Sequence, residues 1–354
     1  MSQVMLSARI HEYQKPLIVE NVSRPSIKGE AVLVKVGGAG LCHSDLHLIS
    51  GEWKNALPLD LPKTPGHEVA GWVEEVGESV PKGLFERGDL VAVFGGWGCG
   101  VCTVCKRGDE QMCALAQWPG LSNYDGGYSQ YLSVPSYRFL IKVGNNTKLG
   151  PHEIAPLTDA GLTPYRAIRR FRHMLVPGTA VAVVGIGGLG SYGIQYARLL
   201  APNSTTIAID RNEKKLDLAK QFGADHCIKL SGNTHKEVME VTEGGGVDLV
   251  VDCVGAENTI GHSTALLTKG GVLAVVGLFG TQIKVPLMPA VLNEYQVTGS
   301  LWGNYNELRE VIELAKQGKV KHVLQTFRLE EINRAIDLLK SGQIMGRAVI
   351  TPAQ

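Results

Sequence analysis

Neither sign of charge is in excess in this chain: 35 lysines and arginines face 34 aspartates and glutamates, a formal net charge of +1 over 354 residues. So balanced a composition gives no electrostatic footprint for nucleic acid or an anionic membrane, and neither is expected as a partner. The opening MSQVMLSARI has Arg9 where a secretory signal needs an apolar run, so no export signal is expected. The one long uncharged stretch, 174–197, is long enough for a membrane span. It holds Pro177, Gln195 and six glycines, which suits a glycine loop between a buried strand and a helix, and the chain reads as soluble and cytoplasmic. Internal repeats and low-complexity segments are missing too. The cysteines lack the even number of a disulfide framework: there are seven, and four of them crowd into the fifteen positions 99–113. That crowding points to a metal.

What is present suggests about two domains. Residues 1 to about 155 run in short apolar segments punctuated by glycine and proline, the texture of an irregular, strand-rich domain. From Val181 the pattern turns regular. AVAVVG (180–185), TTIAID (205–210), DHCIK, VDLVVD, GVLAVVG and YQVTGSL read as strands, with helical segments at 191–201, 212–222, 233–242 and 257–268 among them. Repeated strand–helix units imply an α/β, doubly wound parallel sheet. Two helices at 307–317 and 330–340 and a last strand, GRAVIT, close the chain.

The loop GIGGLG, with Gly185, Gly187, Gly188, Leu189 and Gly190, follows a strand directly. In that context G-x-G-x-x-G lets backbone approach a pyrophosphate at a helix N-terminus. Asp210 stands twenty residues after Gly190 at the end of the next strand, where a carboxylate accepts from adenosine ribose hydroxyls and repels an added phosphate. NAD is therefore the expected cofactor. Arg211 beside it leaves NADP open, Lys215 is a further ribose candidate, and helix capping by Asp210 is the competing reading.

Cys99, Cys102, Cys105 and Cys113 follow C-x2-C-x2-C-x7-C. Four thiolates fill a tetrahedral zinc shell and leave no open position, so the site is structural. An iron–sulfur cluster would bring the fourth cysteine sooner and follow it with proline; here Ala114 follows.

Together with GLCHSDLH (40–47) and PGHEVAG (65–71), these motifs resemble the zinc-dependent medium-chain alcohol dehydrogenases from end to end. The resemblance implies a GroES-like irregular β-barrel catalytic domain (1–159 and 302–354) and a Rossmann cofactor domain (160–301). It also implies catalytic and structural zinc, a homotetramer, and reversible hydride transfer between small apolar alcohols and their aldehydes or ketones. Alcohol dehydrogenases are the usual example of a Cys2His catalytic shell, so the resemblance, not the spacing, supplies the ligands. It assigns Cys42 and His67 to zinc, Asp45 behind His67, Ser44 and His47 to the substrate proton, and His43 and Arg347 to the pyrophosphate. Thr163 falls near the nicotinamide. The third ligand departs from the commonest pattern, because Asp159 stands where a cysteine is expected. A carboxylate also binds zinc. Glu68 is an alternate or outer ligand, and Asp159 as a mere N-cap is the competing reading. Trp53, Trp97, Trp118 and Trp302 would surround an apolar substrate. A zinc polyol or sugar dehydrogenase and a non-catalytic cofactor-binding scaffold are the alternatives.

Overall fold

A computed structural model of the chain describes residues 4–144 and 147–352. In chain order the strands are β1 (Val4–Arg9), β2 (Ile18–Ser23), β3 (Val32–Leu41), β4 (Glu68–Val76), β5 (Leu90–Val93), β6 (Tyr131–Val134) and β7 (Leu140–Lys142). Then come β8 (Ala180–Val184), β9 (Thr205–Asp210), β10 (His226–Lys229), β11 (Val247–Asp252), β12 (Leu267–Val275) and β13 (Gln296–Gly299), and finally β14 (Leu324–Arg328) and β15 (Arg347–Thr351). The chain divides into two compact units, one ending at Ala160 and resuming at Gly303, the other spanning Gly161–Trp302.

In the second unit six strands pair in parallel in the order β10-β9-β8-β11-β12-β13. Numbered within the unit this is 3-2-1-4-5-6, the order of dinucleotide-binding sheets. Strand side chains alternate between the two faces. Ala180, Ala182 and Val184 pack with Val238 and Ile260 of the helices Thr234–Val241 and Glu257–Ala265. Val183 and Ala208 face the other way, against Ile194 of the helix Gly188–Leu200 and Leu216 and Ala219 of the helix Glu213–Gln221. All five residues of β8 are buried, as a central strand covered on both faces requires. The uncharged stretch 174–197 thus becomes a strand, a loop and most of a helix. No helix among the described residues is long and apolar enough to cross a membrane.

The first unit holds a seven-stranded sheet, β14-β15-β3-β4-β5-β7 with β6 on β3, antiparallel except for β14 and β15. Its register decides the site. Gly40 of β3 pairs with Glu68 of β4, and Leu41 pairs with Ala348 of β15. The end of β3 and the starts of β4 and β15 therefore meet, which brings together Cys42 just after β3, His67 just before β4 and Arg347 at the start of β15.

Two helices go beyond the sequence reading. CHSDLH begins the helix His43–Ser50. Cys42, extended at φ −112° and ψ 159°, is its N-cap, and the Asp45 carboxylate accepts from the Cys42 backbone N–H at 2.8 Å. Gly51, at φ +76°, ends it. The helix Leu162–Phe171 was also unforeseen. Gly161 is its N-cap, which leaves Asp159 outside the cap.

Candidate metal centres and cofactor site

Cys42, His67, Glu68 and Asp159 are all buried, and one donor atom from each lies within 4.8 Å of the others. Asp159 Oδ2 stands 3.3 Å from His67 Nε2 and 4.0 Å from Cys42 Sγ. Donors bound to one tetrahedral zinc at 2.0–2.3 Å lie about 3.3–3.8 Å apart; the Asp159–His67 separation falls in that range and the Asp159–Cys42 separation lies just above it. Thiolate, imidazole and carboxylate are also the donors zinc accepts. Electrostatics agree. Burial opposes the imidazolium form of His67, yet Asp45 and Asp159 together hold its pKa well above the ordinary histidine value. A buried place that favours a proton so strongly is one where negative charge is in excess, and a divalent cation answers the same need.

The supports of this cluster are as specific as its donors. His67 Nδ1 faces Asp45 Oδ1 at 3.4 Å while Nε2 faces the cluster, the arrangement in which an outer carboxylate fixes a ligating ring. Asp45, fully buried, also accepts from the Cys42 N–H and from the Tyr128 hydroxyl, each at 2.8 Å. Sequence reasoning missed Tyr128, which sits among glycines with no motif around it. Ser44 Oγ lies 3.7 Å from Cys42 Sγ.

Glu68 and Arg347 form a fully buried pair. Nε of Arg347 donates to Oε2 at 3.0 Å and Nη2 donates to Oε1, which also accepts from Ala160 N–H at 3.1 Å. Burial pushes Glu68 up to about 8 against the pull of Arg347. Burial also disfavours the Cys42 thiolate, but Arg347 and His67 outweigh it and lower the thiol below its usual value. Arg347, assigned to the cofactor pyrophosphate, is 4% exposed and directs Nε and Nη2 at Glu68. Glu68 has both oxygens engaged, by Arg347 and by the Ala160 N–H.

The four-cysteine loop closes on itself. Sγ of Cys99 and Cys105 are 4.0 Å apart, those of Cys102 and Cys113 3.8 Å. Tetrahedral Zn–S bonds of 2.3 Å place sulfurs about 3.8 Å apart, whereas a disulfide needs about 2.05 Å. Backbone N–H groups at Val101 and Cys102 bring the Cys99 thiol down to about 6, and the Cys105 N–H lowers Cys102; both shifts favour the ligating thiolate.

In the second unit, Gly187 caps the helix Gly188–Leu200, and a side chain there would meet nothing within 4 Å. Gly190 has no such room, since a Cβ would stand 2.1 Å from the Gly185 carbonyl oxygen. One glycine keeps an approach open for a phosphate and the other lets helix and loop close up. Asp210 Oδ2 accepts from Ile186 N–H at 2.6 Å and Oδ1 from Asn212 N–H at 2.8 Å. The N-cap of the following helix is Asn212, so Asp210 does not have that role. Arg211 is exposed, Lys215 and Leu189 are half-buried, and Thr163 is buried on the helix Leu162–Phe171. His43 is exposed on the first turn of its helix.

Trp53, Trp97, Trp118 and Trp302 have different local surroundings. Trp97 is core, stacked on Phe139 and donating to the Phe94 carbonyl. Trp118 packs on the cysteine cluster, Trp302 is buried, and Trp53 stacks on His47.

A dinucleotide-binding sheet and two sites fitted to zinc define a zinc-dependent dehydrogenase. Comparison with known proteins agrees: residues 28–145 match the alcohol dehydrogenase GroES-like domain and 188–317 the zinc-binding dehydrogenase domain. An NAD-dependent alcohol dehydrogenase of Sulfurisphaera tokodaii is 40% identical, covering 98% of this chain and 100% of the relative. A D-arabinose 1-dehydrogenase (NADP(+)) of Saccharolobus solfataricus is 35% identical over 98% of this chain and 97% of its own. The solved alcohol dehydrogenase of Aeropyrum pernix superposes with a TM-score of 0.92 at 40% identity, over 98% of this chain and 100% of that one. The chain belongs to the zinc-binding alcohol dehydrogenase family.

Proposed function

We propose that this protein is an NAD-dependent zinc alcohol dehydrogenase that moves hydride reversibly between a primary or secondary alcohol and nicotinamide. The observation that carries this reading is the buried Cys42–His67–Asp159 cluster, backed by Asp45, in a chain that also has the glycine loop with Asp210. When bound, zinc polarises the substrate oxygen and the nicotinamide carries the hydride. Cys42, His67 and Asp159 would hold the ion, the thiolate and carboxylate balancing its charge, and Asp45 would keep His67 in its ligating tautomer. Ser44 takes the hydroxyl proton and His47 carries it onward, a task suited to imidazole. The Gly187 side of the loop admits the pyrophosphate, and Asp210 accepts from the ribose.

A polyol or sugar dehydrogenase is the second reading, favoured by the carboxylate at Asp159 and by the D-arabinose 1-dehydrogenase relative. The oligomer expected is a homotetramer, in the cytoplasm. Supporting assembly, β13 is an edge strand and Phe279, Leu287, Met288, Val291 and Leu292 are exposed apolar residues, features suited to burial against a second copy. Light scattering that shows a monomer would dismiss it.

The test is turnover at the reduced-nicotinamide band with NAD or NADP against ethanol, cyclohexanol, benzyl alcohol, sorbitol and D-arabinose. Simple alcohols with NAD, silenced by a chelator and by Asp159→Ala, are the expected result. Activity confined to sorbitol or arabinose would move the protein to the second reading. Full zinc loading with no turnover would refute both.

A further inference from the structure

His47 is held from two sides. Its Nδ1 lies 2.5 Å from Oε2 of Glu52, and its ring stacks on Trp53 with centroids 4.7 Å apart and planes 15° apart. Local backbone makes this arrangement. Gly51 adopts φ +76° and turns the chain back across the last helical turn, so that the Glu52 N–H donates to the His47 carbonyl at 3.1 Å. Glu52 is thereby tied by its main chain to the same residue that its carboxylate engages. The His47 side chain is 11% exposed and that of Glu52 52%.

The chemistry of this contact is directional. An ionised carboxylate only accepts, so Nδ1 of His47 carries the proton and Nε2 of the neutral ring carries the lone pair. Stacking on Trp53 fixes the ring plane, and the Glu52 bond selects which edge points which way. We propose that Glu52 is the positioning residue of the proton relay formed by Ser44 and His47; this rests on the dehydrogenase reading given above. The proton that leaves the alcohol passes through the Ser44 hydroxyl, is taken up at His47 Nε2, and goes from Nε2 to water. Nδ1–H stays on Glu52 throughout, and the carboxylate remains ionised while it stabilises the transient imidazolium. A carboxylate does the same for the imidazole of hydrolytic triads. Without Glu52 the ring is expected to turn to the Nε2–H tautomer that free imidazole prefers, which has no acceptor where the proton arrives.

The experiment uses the zinc-loaded full chain, labelled with 15N at histidine, as wild type and as Glu52→Ala, Glu52→Gln, Glu52→Asp and His47→Gln. Loss of a signal in His47→Gln assigns the ring, and its nitrogen shifts report the tautomer without any turnover. Steady-state oxidation of benzyl alcohol with NAD supplies kcat and KM. Expected are an Nδ1–H ring in the wild type, a shift toward Nε2–H in Glu52→Ala, and a kcat about tenfold lower with both KM values within about twofold. Glu52→Gln, which keeps an acceptor but no charge, falls between them, and Glu52→Asp recovers most of kcat. An Nε2–H ring in the wild type, or Glu52→Ala turning over as wild type while His47→Gln is impaired, overturns the role of Glu52 alone. A silent wild type, or a His47→Gln variant as fast as wild type, overturns the relay reading beneath it.

Discussion

Gly40 offers the sharpest test of how the sheet holds the metal cluster. It pairs with Glu68 across β3 and β4, and a Cβ at Gly40 would stand 1.7 Å from Glu68 Oε2. Ordinary contact begins at 3.4 Å, so in Gly40→Ala that oxygen must retreat by about 1.7 Å. Oε2 now sits 3.0 Å from Arg347 Nε, and a retreat of that size ends the bond. Both partners are buried, and breaking such a pair costs roughly 3–5 kcal/mol. At about 2–4 °C per kcal/mol for a unit of this size, Gly40→Ala lowers Tm by roughly 6–20 °C. Thermal unfolding at matched zinc content reads the shift, and a double-mutant cycle with Glu68→Ala assigns its cause. If the clash is with the Glu68 carboxylate, adding Gly40→Ala to Glu68→Ala costs less than adding it to wild type, the contact that remains being the Cβ of residue 68 at 2.9 Å. A Gly40→Ala protein that melts within a degree or two of wild type, or a shift unchanged in the Glu68→Ala background, would refute the reasoning.

Other expectations follow from the same geometry. Cys113→Ser lowers bound zinc from two ions per chain to one and lowers Tm, read by elemental analysis and calorimetry; two retained ions would contradict a four-thiolate site. Asp210→Ser raises the KM for NAD about tenfold, the worth of roughly 1.4 kcal/mol, and narrows the gap to NADP. An unchanged NAD to NADP ratio would remove Asp210 as selector. His322 is held below the ordinary histidine value by burial, with Glu153 opposing and His152 adding. The folded state therefore binds fewer protons than the unfolded state just below pH 6.5. Its stabilising contribution is present above that pH and is lost on acidification, by at most about 1.4 kcal/mol per pH unit. His322→Gln should flatten urea-unfolding stability between pH 6.5 and 5, and an unaltered slope would contradict the assignment.

The sequence alone carried the features that local spacing defines. Strand–helix periodicity from Val181 onward implied the parallel sheet. G-x-G-x-x-G after a strand, with Asp210 closing the next, marked the dinucleotide loop, and four cysteines within fifteen positions marked a thiolate cluster. These signals are readable because turn, cap and ligand lie within a few residues of one another or in adjacent elements. The cluster of Cys42, His67 and Asp159 was legible only through family resemblance, since its members are separated by 25 and 92 residues. Tertiary structure decided what no spacing encodes. The register of β15, β3 and β4 set Arg347 on Glu68, and the glycines around Tyr128 let its hydroxyl reach Asp45. The turn at Gly51 folded Glu52 onto His47, Trp97 went to the core and Trp118 to the cysteine cluster. The physical reason is burial: which charge meets which is decided by side chains excluded from water together, and that company is chosen by the packed sheet rather than by chain neighbours.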